Sequence, residues 1–174
     1  MNVINVEIKA RCSRLEKIRG ILRSLKARFE GMDHQTDTYF RVQEGRLKLR
    51  EGNIENNLIY YKRDNVSGPK QSNCQLFPTT RGSQLKTMLA NALGILVIVE
   101  KQREIYYIGN IKIHIDIVKE LGSFVEIEAS DEKGNYTKDQ LHKQCSELMT
   151  AMKIREEDLV QKSYSDLILE RTSK

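Results

Sequence analysis

Cysteine is scarce in this 174-residue chain: Cys12, Cys74 and Cys145 are odd in number, far apart and without a Cys-x-x-Cys pair. That spacing speaks against a disulfide framework and a zinc site, and it suits a reducing compartment. No apolar run approaches the roughly 20 residues that a membrane-spanning helix needs. Glu7 and Lys9 lie inside the first strand-like stretch, so no signal peptide is expected. The glycines are scattered, which leaves neither a Walker P-loop nor a GxGxxG loop to cradle phosphate. The formal net charge is +5. Even so, no block of five consecutive cations occurs, and no helix carries a basic stripe interleaved with aromatics. Nucleic acid is therefore disfavoured as a partner. The length predicts a single domain over residues 1–174 with a real core. The expected location is the cytoplasm.

What the chain does contain is charge on alternate positions of strand-like segments. Asn5, Glu7, Lys9 and Arg11 alternate with Ile4, Val6, Ile8 and Ala10. Lys112, His114 and Asp116 alternate with Ile111, Ile113, Ile115 and Ile117, and Glu126 and Glu128 with Val125, Ile127 and Ala129. Alternation puts one set on each face of a pleated strand. The apolar faces are fit for burial. The polar faces gather acids on some strands and the cations Arg46, Lys48 and Arg50 on another.

Strands are predicted over residues 2–11, 36–43, 46–51, 57–63, 71–78, 95–107, 110–119 and 122–130. Turns are expected at Glu44-Gly45, Glu51-Gly52-Asn53, Gly109-Asn110 and Gly122, and a loop at Ser67-Gly68-Pro69. Ser13 with Glu16, and Thr137 with Gln140, have the spacing of capping boxes, and Ser83 is a third candidate cap. Gly94 is placed to end the helix that Ser83 opens. The expected fold class is α+β, an antiparallel sheet with three or four helices.

Acids and cations sorted onto separate strands suit a divalent metal together with a polyphosphate. Carboxylates ligate Mg²⁺ or Mn²⁺, hard ions that also keep waters and substrate phosphates in their shell. Glu126 and Glu128 stand side by side at i and i+2, a repulsive arrangement unless a cation or solvent screens it. Arg46, Lys48 and Arg50, then Lys101 and Arg103, and Lys62 near a strand end, supply the phosphate-binding charge. Each pair by itself reads as ordinary surface; together they form a pattern. His34 and His142 lack partners at ligand spacing, whereas His114 shares a face with Asp116 and borders the expected site. Tyr39, Tyr60, Tyr61, Tyr106, Tyr107 and Tyr164 are read as packing residues, one of which could line a base pocket.

Several motifs occur in order over nearly the whole chain. They are Asn5 to Lys9 (NVEIK), His34 to Phe40 (HQTDTYF), Arg46 to Glu51 (RLKLRE), Val99 to Tyr107 (VEKQREIYY), His114 to Glu128 (HIDIVKELGSFVEIE) and Ser163 to Leu167 (SYSDL). In these the chain resembles the CYTH superfamily of triphosphate tunnel metalloenzymes, above all its class IV adenylate cyclase branch. The resemblance implies an eight-stranded antiparallel β-barrel or tunnel with a polar interior and flanking helices. It implies Mg²⁺ or Mn²⁺ on Glu7, Asp116, Glu126 and Glu128. Lys9, Arg50, Lys62, Lys101 and Arg103 would then bind phosphates as the catalytic cations, with Arg46, Lys48 and His114 beside the substrate. ATP, inorganic triphosphate and thiamine triphosphate are the implied substrates, and a homodimer is compatible with this branch. The chain departs from the family's ExExK motif at Asn5, where a neutral amide replaces the first acid and predicts weaker metal binding or the loss of one ion. Three activities remain open: cyclisation of ATP, hydrolysis of a triphosphate, and binding without turnover.

Overall fold

The computed structural model describes residues 2–63, 70–131 and 134–173, so the expected Ser67-Gly68-Pro69 loop lies outside the described residues. Eight strands appear in chain order: β1 (Asn2–Arg11), β2 (Arg28–Phe40), β3 (Arg46–Glu51), β4 (Asn56–Arg63), β5 (Lys70–Pro78), β6 (Ile95–Ile108), β7 (Ile111–Val118) and β8 (Gly122–Asp131). Among the described residues, two α-helices lie between strands, α1 (Leu15–Ser24) and α2 (Leu85–Leu93), and two follow the last strand, α3 (Lys138–Ala151) and α4 (Tyr164–Thr172). The strands close into a barrel in the order β1-β5-β4-β3-β2-β6-β7-β8, every neighbouring pair antiparallel.

The apolar core lies outside this barrel. Val6, Ile8 and Ala10 of β1, Ile111, Ile113 and Ile115 of β7, and Val125, Ile127 and Ala129 of β8 form one outward sheet face. Ile18 and Leu22 of α1, Leu141, Cys145 and Leu148 of α3, and Met152 at the C-terminal cap of α3 cover it. Each isoleucine buried there is worth roughly 1.5–3 kcal/mol, so the helices hold this wall of the barrel. A smaller cluster sets Tyr164 and Ile168 of α4 on Tyr39, Val99 and Phe124. Apolar residues outside and charged residues inside are what the sequence alternation predicts.

Local expectations fare unevenly. The Thr137–Gln140 capping box is present, and a second one, Ser163 with Asp166, opens α4. Gly94 ends α2 at φ 78°, where its N–H donates to the Ala90 carbonyl. The Ser13–Glu16 box does not form. α1 starts one residue too late for it, with Arg14 at the cap, and Glu16 instead pairs with Arg19. Ser83 does not cap α2 either, because Gln84 occupies the cap and Ser83 bonds back to the Thr80 carbonyl in the preceding turn. Strand β2 begins eight residues earlier than expected. Its first half has no alternation to read, and the pairing with β6 slips between Phe29 and Gly31.

Candidate functional site

The inward faces of the strands line a cavity of about 180 Å³ whose walls are charged. Among the described residues, six cations face it: Lys9, Lys48, Arg50, Lys101, Arg103 and Lys112. Five carboxylates accompany them: Glu7, Asp37, Glu55, Glu126 and Glu128. The barrel register puts Asp37 opposite Arg50, Lys112 and Glu7 on either side of Glu128, and His114 and Lys9 on either side of Glu126.

Asp37 organises one wall. Its carboxylate, fully buried, accepts from Arg50 Nε at 2.8 Å and Nη2 at 2.9 Å, from Lys48 Nζ at 2.9 Å and from Lys101 Nζ at 2.9 Å. Burial opposes its ionisation, but Arg50, Lys101 and Lys48 together hold its pKa well below the usual range. Desolvation has the opposite consequence for Lys101, pulling its ammonium down to about 7 in spite of Asp37. One buried acid thus sets three cations at fixed positions.

Arg103, two residues beyond Lys101 on β6, is held in the same manner by the adjoining strands β7 and β8. Its Nε donates to Asp116 at 2.7 Å and its Nη2 to Asp116 at 2.5 Å and to Glu126 at 2.7 Å. Tyr164 Oη also donates to Asp116, at 2.8 Å. Glu126 additionally meets Lys9 at 3.2 Å and His114 Nδ1 at 3.3 Å. Burial pushes the His114 pKa down to about 4, so its ring is neutral near pH 7. A neutral imidazole beside an ionised carboxylate carries its proton on Nδ1, which leaves Nε2 as an acceptor. That Nε2 is buried and has no hydrogen-bond partner.

The acids most suited to a cation gather nearer the other end. Glu7 and Glu128 are directly paired across β1 and β8, and Asn5 Nδ2 donates to Glu128 at 2.7 Å. Burial raises the Glu128 pKa, and Glu7, Glu126 and Glu55 raise it further against the pull of Lys112. Asn5 Oδ1 is buried without a hydrogen-bond partner. An all-oxygen set of two carboxylates and one amide fits a single Mg²⁺ or Mn²⁺, which takes one or two carboxylates and completes its shell with water and phosphate. No group of three or more His, Cys, Asp or Glu among the described residues has metal-holding geometry, so the fit is to this sparser set.

The family model described as the CYTH domain matches residues 3–164. The chain belongs to the CYTH family. A Methanocaldococcus jannaschii protein named "Putative adenylate cyclase MJ0240" is 27% identical over 176 residues, which is 95% of this chain and 98% of that protein. Among solved structures, the PH1012 protein of Pyrococcus horikoshii is similar with a TM-score of 0.79 at 21% identity, over 94% of this chain and 98% of that one. Hippeastrum HpAC1, described as a "putative adenylyl cyclase" that "reveals a dominant" triphosphatase activity, has a TM-score of 0.62 at 11% identity, over 100% of this chain and 97% of that one. The structural likenesses at these identities show a shared fold.

Within this CYTH barrel the residues singled out from sequence separate clearly. Asn5, Glu7, Lys9, Lys48, Arg50, Lys101, Arg103, His114, Glu126 and Glu128 all line the cavity. Lys62 does not. The inward face of β4 is Asn57, Ile59 and Tyr61, so Lys62 points outward, is largely exposed and pairs with Glu44. Asp116 is fully buried and absent from the cavity lining, with Arg103 and Tyr164 donating to its oxygens, so in this structure it braces Arg103 and does not face the cavity where a metal would sit. Arg46 sits at the edge, bonded to Asp166 of α4 at 2.8 Å. Sequence reading missed Asp37, Glu55, Lys112 and Tyr164 as site residues. Lys112 and Asp37 carried a usable signal, since both lie in the motifs of the family resemblance or in the alternating strands. Glu55 carried none. It sits in the β3–β4 turn, yet its carboxylate reaches Arg50 at 3.0 Å, Gln35 at 3.1 Å and Lys112.

Proposed function

We propose that the lumen binds the triphosphate chain of a small molecule and breaks one of its phosphoanhydride bonds, in the manner of a class IV adenylate cyclase. The observation that carries this reading is the set of six cations, fixed by buried carboxylates, that faces a single cavity. Such preorganised charge stabilises a phosphoryl or nucleotidyl transition state without reorganising during the reaction. Arg50 and Arg103 present guanidinium forks and Lys9, Lys48 and Lys101 point charges to phosphate oxygens. His114 Nε2, buried without a partner, is available to accept a hydrogen bond from a substrate hydroxyl.

The charge balance supports a need for metal. Among the described residues, six cations against five carboxylates leave little net positive charge for a polyanion. Mg²⁺ or Mn²⁺ held by Glu7, Glu128 and the Asn5 amide oxygen would supply the missing charge against the phosphate oxygens. In the cyclase reaction the ribose 3′-hydroxyl attacks the α-phosphorus and pyrophosphate leaves. A second reading, hydrolysis of the terminal phosphate by water, uses the same cations, and the Hippeastrum relative illustrates that a protein of this fold named as a cyclase is described as chiefly a triphosphatase.

Ion-exchange analysis of products tests this. The protein is incubated with ATP, inorganic triphosphate or thiamine triphosphate, with Mg²⁺ or Mn²⁺ and with chelator. Cyclic AMP with pyrophosphate, lost on chelation, is the expected result. Orthophosphate without cyclic AMP would make the second reading correct. Glu126→Gln and Lys101→Ala should each abolish most turnover, and no turnover by wild type on any of the three would overturn the proposal.

A further inference from the structure

Glu55 differs from the other lumen carboxylates in where it comes from. Among the described residues, Glu7 stands on β1, Asp37 on β2, and Glu126 and Glu128 on β8, whereas Glu55 belongs to the link between β3 and β4. Its N–H is bound to Asp33 of β2, so the backbone is fixed while the side chain reaches into the cavity. Oε2 accepts from Arg50 Nη1 at 3.0 Å and from Gln35 Nε2 at 3.1 Å, and Oε1 accepts from Lys112 Nζ. Arg50 lies on β3 and Lys112 on β7, two strands that β2 and β6 separate around the barrel. One carboxylate thus ties together cations from strands that are not neighbours.

The donors it occupies are the ones a ligand would need. Asp37 already takes Arg50 Nε and Nη2, which leaves Nη1 as the edge turned to Glu55. A phosphate group accepts from guanidinium and ammonium donors as a carboxylate does, so Arg50 Nη1 and Lys112 Nζ form a phosphate seat that Glu55 now fills. Emptying the seat breaks no strand pairing. Rotation about the Glu55 side-chain bonds withdraws the carboxylate, and the Asp33 contacts of the link stay in place. Asp37 and Glu126 have no such freedom, since each is set by the register of its strand.

We infer that Glu55 holds the place of one phosphate group in the empty tunnel and is displaced from Arg50 and Lys112 when the triphosphate chain enters. The inference rests on the triphosphate reading of the lumen and adds a built-in competitor to it. Binding at this seat is an exchange of one anion for another. Arg50 and Lys112 keep an acceptor in both states, and the chain binds less tightly than it would to the same cations without Glu55. The reverse exchange favours release.

Surface plasmon resonance with inorganic triphosphate in Mn²⁺ buffer, where flow renews any ligand consumed, tests this. Glu55→Gln keeps the side-chain volume and removes the charge. It should bind roughly tenfold tighter than wild type, the scale of a charge-assisted bond that the ligand no longer has to break. Glu55→Ala, which removes the acceptor altogether, should shift affinity in the same direction. Lys112→Met separates displacement from a through-space effect. In wild type it deletes both a phosphate contact and a contact the ligand must break, and the two partly cancel. In the Glu55→Gln background only the phosphate contact is lost, so Lys112→Met should weaken binding several times more there than in wild type. Equal weakening in the two backgrounds would mean that Glu55 stays where it is. Unchanged or weaker binding by Glu55→Gln would mean that the carboxylate serves the ligand. Either result overturns the place-holder and leaves the tunnel reading intact. If neither wild type nor Glu55→Gln binds triphosphate, the tunnel reading falls and the place-holder with it.

Discussion

Lys101 shows how a single side chain in this lumen can report on its contents. Its ammonium is buried among Arg50, Arg103 and Lys48, and desolvation brings its pKa down to about 7. Near neutral pH it is therefore only partly charged. A bound polyanion favours the charged form, so binding above pH 7 draws a proton onto Lys101, and affinity should fall as pH rises. The loss approaches tenfold per pH unit once the free group is neutral. Arginine at this position stays charged throughout. Titrating inorganic triphosphate into wild type and Lys101→Arg between pH 6 and pH 9 isolates the effect, because the ligand's own ionisation is common to both. The wild-type affinity should drop relative to the variant as pH rises. Parallel profiles would mean that Lys101 is fully charged in the free protein.

At the scale of the element, what the sequence revealed depended on whether a strand's two faces differ chemically. In β3, Arg46, Lys48 and Arg50 alternate with Leu47 and Leu49, so the inward face was plain, and β1, β7 and β8 were read the same way. In β4 the two faces are Asn57, Ile59, Tyr61 and Leu58, Tyr60, Lys62. Both are mixed, so the alternation does not say which face Lys62 takes, and the structure turns it outward to Glu44. The β3–β4 turn was less legible still, because its anchor is remote in sequence. Asp33, fully buried on β2, accepts from the N–H groups of Asn53 at 2.7 Å, Ile54 at 2.9 Å and Glu55 at 2.9 Å, and from Gln35 Nε2 at 2.8 Å. This clamp aims Glu55 at Arg50 and Lys112. Asp33→Ala leaves those donors without their carboxylate and should cost roughly 2–4 kcal/mol. Gly52→Ala should cost a comparable amount, since a Cβ there would meet Asp33 Oδ1 at 2.5 Å. Urea unfolding measures both as a lower midpoint at unchanged slope. A loss under 0.5 kcal/mol for Asp33→Ala would show that the turn holds itself without the clamp.

Taken as a whole, the molecule is a barrel whose hydrocarbon faces outward under helices and whose ions face inward, and that inversion governs its response to acid. Asp37, Glu55 and Glu126 all have pKa values held below the ordinary range by their cations, despite burial. A depressed carboxylate contributes stability above its unfolded pKa, near 4, and loses it as pH falls toward the folded value. His114 acts in the same direction but earlier. Its folded pKa is about 4 against 6.5 unfolded, so between these values the unfolded chain binds the extra proton and stability declines as pH falls. That step is worth up to about 3 kcal/mol. Glu128 opposes both, since its raised pKa lets the folded state take up a proton first. The melting temperature should therefore begin to fall near pH 6.5 and fall more steeply below pH 4. His114→Gln removes only the first phase, because glutamine does not titrate, while the carboxylate phase stays. Thermal melts of both proteins from pH 8 to pH 3 distinguish the contributions. An unchanged onset in His114→Gln would assign the early loss to another group and place the His114 ring in contact with solvent protons.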